Sequence, residues 1–169
     1  MSGKHFLITG TFDPFTKGHL DIAVRASRLA DKVTIVVLNN AAKSSVFSME
    51  ERVNLALRAT SHYDNINAIG YSGLIADCYR ELGADAVVRG IRDGVDLSYE
   101  TPMTEINRSL FEDYETIYLP CRPELAHIRS SVVRELASYG ADYSAMVPES
   151  IFDEIDAKLS AERGCTEEQ

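Results

Sequence analysis

Strand-like runs alternate with helix-like stretches along almost the whole chain, and this alternation constrains the fold more than any other feature. The runs HFLITG (5–10), KVTIVVL (32–38), INAIGY (66–71), DAVVRG (85–90) and ETIYLP (115–120) are short, apolar and mostly rich in β-branched residues, the pattern of buried strands. The stretches between them are long enough for helices. One is expected from Gly18 to Ala30, with Leu20, Ala23, Val24 and Ser27 on one face. A second starts at Ser48, because Ser48 and Glu51 have the spacing of a capping box. LIADCYREL (74–82) is a third, with Gly83 as its C-terminal cap. Further helices are expected over about 97–110, over 130–140 with serine at the start and Gly140 at the end, and from Pro148, a proline suited to a first turn.

A strand–helix–strand repeat returns every strand in the same direction. The expected fold is therefore α/β: a doubly wound parallel sheet of about five strands with helices on both faces. A length of 169 residues suits one domain over 1–160, with a polar tail, 161–169, expected to fray. No repeat, low-complexity segment or internal linker interrupts the pattern.

A formal net charge of −9 disfavours nucleic acid as a partner of the whole surface. An anionic small ligand requires basic residues that converge locally, so their positions matter more than their number. No run is long and apolar enough to cross a membrane, and no basic, then apolar, leader opens the chain. Cys78, Cys121 and Cys165 are odd in number and lack metal-type spacing, which fits a reduced, cytoplasmic setting.

In an open α/β sheet, ligands sit outside the carboxyl ends of the strands. Polar clusters fall at that edge repeatedly. Thr11 to His19 follow the first strand, and Lys43 follows the second. Arg89, Gly90 and Arg92 close the fourth, and Ile128 to Ser131 follow the fifth at a helix start. In the first cluster, Gly10 and Gly18 admit close approach of backbone to a ligand, and the helix aims N–H groups outward. His19 on its first turn then has the position to donate to a phosphate oxygen. The plainer alternative is that Thr16 is an N-cap and His19 an exposed helix residue. Arg89 and Arg92 form either a planar-donor clamp for a polyphosphate or a solvated loop paired with Asp93 or Asp96. Ser130 and Ser131 cap a helix whose N-terminus remains open to an anion.

Other chemistries find little support. Neither G-x-x-x-x-G-K-[ST] nor G-x-G-x-x-G follows the first strand. No G-x-S-x-G elbow occurs, and the histidines lack metal spacing. Cys78 sits mid-helix as a core residue. Asp21, Glu50 and Glu51 read as solvated helix faces rather than an acid–base pair.

GTFDPFTKGH contains Thr16-Lys17-Gly18-His19, and with it the chain resembles the nucleotidyltransferase superfamily marked by [TH]-x-G-H. FSMEERVNLA, VVRGIRDGVDLSYE, MTEINRSL and IRSSVVRE follow, similar in order and spacing to the blocks of the bacterial phosphopantetheine adenylyltransferases. This resemblance runs from about Phe6 to about Leu159. It implies a Rossmann-like fold, transfer of AMP from ATP to phosphopantetheine to give dephospho-CoA and pyrophosphate, Mg²⁺ with the ATP, and a homohexamer. Coenzyme A is then expected to compete at the acceptor site as an inhibitor. By matching position, ATP would meet Thr11, Phe12, His19, Gly90, Ile91, Arg92, Glu100 and the segment Leu125, Ala126, His127, Ile128, Arg129, Ser130 and Ser131. Phosphopantetheine would meet Thr11, Lys43, Ile75 and Arg89. His19, Lys43 and Arg92 would carry the catalysis, while Lys17 fills the variable slot of the motif and Asp13 fixes the turn with Pro14.

In the reaction so implied, the nucleophile is a phosphate monoester, largely dianionic at neutral pH, and no general base is needed. Three places depart from the family pattern. Arg129 stands where serine is usual, either as a phosphate contact or pointing to solvent. Pro102 is expected to start or kink its helix beside Glu100. NNAAKSS lacks a proline and a second lysine near Lys43. The rival functions are another nucleotidyltransferase of the superfamily, with nicotinamide mononucleotide or a small alcohol phosphate as acceptor, and a non-catalytic nucleotide- or CoA-binding module.

Overall fold

The computed structural model describes residues 3–39 and 45–167. The chain runs β1 (His5–Gly10), α1 (Lys17–Ala26), β2 (Lys32–Leu38), α2 (Met49–Ala59), β3 (Ile66–Tyr71), α3 (Ile75–Glu81), β4 (Ala86–Ile91), α4 (Gly94–Leu110), β5 (Thr116–Pro120), α5 (Ser130–Ser138) and α6 (Glu149–Glu167). The five strands form one sheet in the order β3-β2-β1-β4-β5, with every neighbouring pair parallel. Phe6 lies in register with Val33 on one side and Ala86 on the other. Chain order reverses between β1 and β4, and there the helices that follow the two strands leave a crevice.

Side-chain alternation places the two cores. Phe6 and Ile8 of β1 join Val33, Ile35 and Val37 of β2 in a large core that includes residues of α1, α2, α5 and α6. Leu7 and Val36 point the other way, with Val87, Cys78, Tyr79 and Tyr114, under α3 and the end of α4. Both faces are thus covered, as a parallel sheet requires. The second face also carries a polar link. His5 Nε2 lies 2.8 Å from Thr34 Oγ1, and its Nδ1 lies 3.2 Å from the Leu82 carbonyl. That carbonyl can only accept, so Nδ1 carries the proton and Nε2 accepts from the threonine hydroxyl. Gly90 lets β4 come close to α1, because a Cβ there would sit 2.9 Å from Ile22 Cγ1.

Helix boundaries differ from the sequence reading where a local hydrogen bond ends or starts a turn. α1 stops at Ala26, not Ala30: Ser27 Oγ turns back to the Val24 carbonyl at 3.0 Å, and the chain tightens before β2. α4 starts at Gly94, earlier than Leu97, because the Asp93 carboxylate caps the Val95 and Asp96 amides, each at 2.9 Å. Pro102 neither starts nor breaks α4 but lies inside it. Its side is exposed, so water can serve the one carbonyl that the missing N–H leaves unpaired. α6 stays helical to Glu167, past Ser160, where the sequence suggested a fraying tail. Ile151, Ile155 and Leu159 recur at helical spacing and bury that helix in the large core.

Candidate active site

The crevice has two adjoining lobes. The first, of about 320 Å³, lies between the β1–α1 loop and the end of β4, and Phe12, Gly18, His19, Arg92 and Ile128 line it. The second, of about 360 Å³, lies toward β2, α3 and α4, and is lined by Thr11, Leu38, Asn39, Ile75, Asn107 and Tyr114 among others. Thr9, Gly10, Arg89, Tyr99 and Glu100 border both.

His19 is set by its helix start. Thr16, the N-cap of α1, accepts from the His19 amide through its hydroxyl. In return His19 Nδ1 accepts from the Thr16 amide at 3.1 Å. An amide can only donate, so the neutral ring carries its proton on Nε2. The ring is wedged between Phe12, edge-on with centroids 4.9 Å apart, and Phe15 at 5.5 Å. Phe12 reaches this position through a positive φ of 51°. Burial among these rings, with Arg92 and Arg89 nearby, lowers the His19 pKa from the ordinary 6.5 to about 4. At neutral pH His19 is therefore an uncharged donor. Thr16 is thus the N-cap, and the same capping box leaves the Nε2 proton of His19 outside it.

The two arginines are placed by carboxylates on α4. Glu100 binds Arg89 through both oxygens, and Arg89 Nη1 also reaches Thr9 Oγ1 at 3.1 Å and the Thr9 carbonyl. Asp96 binds Arg92 at 2.6 Å to Nε and 2.9 Å to Nη2. Of the two carboxylates named from sequence as partners in this loop, Asp96 holds the arginine and Asp93 caps the helix. The Asp96 hydrogen bonds raise the Arg92 pKa, and the same bonds lower that of Asp96. Both guanidiniums thus face the crevice already compensated. An incoming polyanion has to share them or displace the carboxylates.

Phe12, His19, Gly90, Arg92, Glu100 and Ile128 of the expected ATP set line the first lobe. Thr11, Ile75 and Arg89 of the expected acceptor set line the second. Thr11, expected at both substrates, borders only the second of these lobes, and Glu100 borders both. Ile91, Leu125, Ala126, His127, Arg129, Ser130 and Ser131 of the expected ATP set are not among the residues that line either lobe. Ser130 Oγ donates to the Pro14 carbonyl at 2.8 Å, tying the start of α5 to the β1–α1 loop. Arg129 is exposed at the N-cap of α5. Lys43 lies outside the described residues.

Some roles were missed from sequence. The buried Asp13 does more than fix its own turn: it accepts from the Val46 and Phe47 amides at 3.1 and 2.9 Å, and Arg134 lies 3.4 Å away. Asp21 is not a solvated face but is largely covered by Arg25 and Arg122, at 3.1 and 2.8 Å. Arg52 is fully buried below the second lobe. Apart from Arg25, four residues after Asp21, and Phe47 and Ser48 beside Arg52, the partners are distant in sequence, so spacing gave little sign of these roles. Cys78 is in the core as expected, and burial pushes its thiol up to about 11.

Among the described residues no group of three or more His, Cys, Asp and Glu side chains is placed to hold a metal ion. The carboxylates bordering the first lobe, Asp96 and Glu100, are engaged by arginines.

The profile of the cytidylyltransferase-like family matches residues 7–136. A phosphopantetheine adenylyltransferase of Clostridium perfringens is 37% identical over 155 residues, covering 92% of this chain and 94% of the relative. Those of Streptococcus gordonii and Streptococcus pneumoniae are 43% and 44% identical, covering 94% and 92% of this chain and 97% and 96% of the relatives. In fold, the chain is similar to the crystal structure of a bifunctional NMN adenylyltransferase/ADP ribose pyrophosphatase from Francisella tularensis, with a TM-score of 0.66 at 16% identity; the match covers 99% of this chain but 55% of that protein. A two-lobed crevice at the switch point, a neutral histidine with two arginines nearby and likeness over more than nine-tenths of this chain and of these relatives converge: the chain belongs to the phosphopantetheine adenylyltransferases, within the cytidylyltransferase-like family.

Proposed function

We propose that this chain transfers the adenylyl group of ATP to the phosphate of phosphopantetheine, giving dephospho-CoA and pyrophosphate. ATP occupies the first lobe and the acceptor the second, so the two phosphates meet near Gly10 and Arg89, which border both. The acceptor phosphate has a second pKa of about 6 and is mostly dianionic at neutral pH. Its oxygen attacks the α-phosphorus in line. The new P–O bond forms as the α–β bridging bond breaks, and pyrophosphate leaves with the bridging oxygen. No proton has to be removed, so positioning and charge neutralisation supply the acceleration.

The observation that carries this reading is the His19 tautomer. Nδ1 is occupied by the Thr16 amide, so the one ring proton is on Nε2, free to donate to an α-phosphate oxygen. Arg92 takes the leaving phosphates and Arg89 the acceptor phosphate, each exchanging a carboxylate for a phosphate. Lys43 is proposed to bridge the two substrates. Mg²⁺ would be held by the nucleotide's own phosphates rather than by Asp96 and Glu100, which the arginines engage, and would offset the charge that builds on the pyrophosphate.

The setting is proposed as the cytoplasm, with coenzyme A competing for the acceptor lobe through its shared phosphopantetheine arm. A homo-oligomer, a hexamer as the resemblance implies, is proposed because α4 exposes Val95, Tyr99, Met103, Ile106 and Leu110 along its length. A pyrophosphate-release assay with ATP and a panel of phosphorylated acceptors tests the function. Turnover with phosphopantetheine is expected; turnover only with nicotinamide mononucleotide or a small alcohol phosphate defeats the acceptor assignment. No turnover with any acceptor favours a binding module.

A further inference from the structure

Arg52 is the largest fully buried side chain among the described residues, with 1% of it exposed. None of the acceptors around it is charged. Nε donates to the Phe47 carbonyl at 3.0 Å and the Ser48 carbonyl at 3.3 Å. Nη1 donates to the Thr11 carbonyl at 2.7 Å and the Leu38 carbonyl at 2.9 Å. Nη2 donates to Asn39 Oδ1 at 2.9 Å. The Asp13 carboxylate acts on it only through space, so the buried cation stays expensive, and an apolar residue of similar volume would fill the space more cheaply. What only the guanidinium supplies is a rigid planar fork that can hold several oxygens in fixed directions.

The position of those oxygens gives the fork its use. The β1–β2 ladder ends at the pair Gly10 and Val37. Beyond it β1 and β2 pair no further with each other, although Leu38 still pairs with Tyr71 of β3, and Thr11, Leu38 and Asn39 are the residues that follow. Arg52 spans that gap, taking hold of all three. These same residues line the second lobe, whereas Arg52 does not. The first lobe is fixed by other ties, the Thr16–His19 box and the Asp13 carboxylate.

We propose that Arg52 is a positioning residue for the acceptor: it holds the ends of β1 and β2 at the separation that phosphopantetheine needs and touches neither substrate. The inference rests on the assignment of the second lobe to the acceptor.

Steady-state kinetics of Arg52→Lys test it, since lysine keeps the charge but loses the fork. Misplacement of one wall should raise the acceptor KM roughly tenfold, with kcat changed less than about threefold and the ATP KM less than about twofold. A fall in thermal stability with both KM values unchanged, or an equal rise in both, overturns the proposal. Should Arg52→Lys fail to fold, the exposed end of the same contact is read instead. Asn39→Ala should raise the acceptor KM by about threefold with the ATP KM unchanged; an unchanged acceptor KM, or an equal rise in both, overturns the proposal. The wild-type acceptor panel separates the two inferences. If the wild type uses another phosphorylated acceptor, the functional reading fails, and the Arg52 split is read on that acceptor's KM. If it turns over none, the same split is read on the dissociation constants of phosphopantetheine and ATP by calorimetry.

Discussion

α1 and α2 both start at the carboxyl edge of the sheet, and both start with a reciprocal capping box, Thr16 with His19 and Ser48 with Glu51. The backbone geometry is shared, but the third helical residue differs. In α2 the Glu51 carboxylate accepts from the Ser48 amide at 2.7 Å and is held by Lys158 of α6 at 2.9 Å. All of its capacity goes into structure. In α1 a ring with two nitrogens replaces the carboxylate. One nitrogen closes the box and the other remains to donate. On the proposed mechanism, a stabilising motif also serves catalysis through the second nitrogen alone, and the box sets the tautomer for it.

The sharpest way to break this comparison is to remove the ring. His19→Ala should lower kcat by about 10²–10³, the usual cost of one lost donor at a developing oxyanion, with little change in the ATP dissociation constant. Equal losses in rate and binding would make His19 a ground-state contact and return the two boxes to equivalence. The corresponding change in α2, Glu51→Ala, should leave kcat nearly intact.

A titration separates the boxes by pH. The unfolded chain protonates His19 around its ordinary 6.5, whereas the folded protein resists until about 4. The folded state is therefore favoured above 6.5, and that contribution is lost as pH falls from 6.5 toward 4. Glu51 is shifted below its ordinary 4.5, chiefly by its Lys158 hydrogen bond, so its contribution is lost only as pH falls below about 4.5. Urea unfolding across this range should show acid destabilisation that begins near 6 and is reduced in His19→Asn. NMR of the His19 ring should show no titration between about pH 5.5 and 8. A midpoint near 6.5 would show that the Phe12–Phe15 enclosure does not desolvate the ring.

The smallest effects come from the caps. Thr16→Ala and Ser48→Ala should each cost about 1 kcal/mol in thermal or urea unfolding. Only the first should also reduce kcat, because only there does the cap hold a reacting group in place. Thr16→Ser should restore both.

The capping boxes also mark what was readable in the sequence. Ser48 with Glu51 was legible because a serine followed by glutamate three residues on is a local pattern. The β-branched runs of β1, β2 and β4 and their alternation with helices were legible for the same reason, and the parallel doubly wound sheet followed from them. Thr16 was legible as a cap and His19 as a candidate donor, but as alternatives. That one box makes Thr16 the cap and also leaves the His19 Nε2 proton outside it depends on ring orientation, which Phe12 and Phe15 impose.

By itself, then, the sequence determined the elements, their parallel order of assembly and the edge at which chemistry-bearing residues gather, because strand and helix periodicity and capping act over a few residues. Only the tertiary structure decided which charges face the crevice free and which face it paired. Arg89 meets Glu100 across a turn, Asp13 meets the Val46 and Phe47 amides from another loop, and Arg52 gathers the ends of β1 and β2. These contacts join residues from separate segments, and burial, which gives each its strength, exists only once the sheet and helices have closed around them.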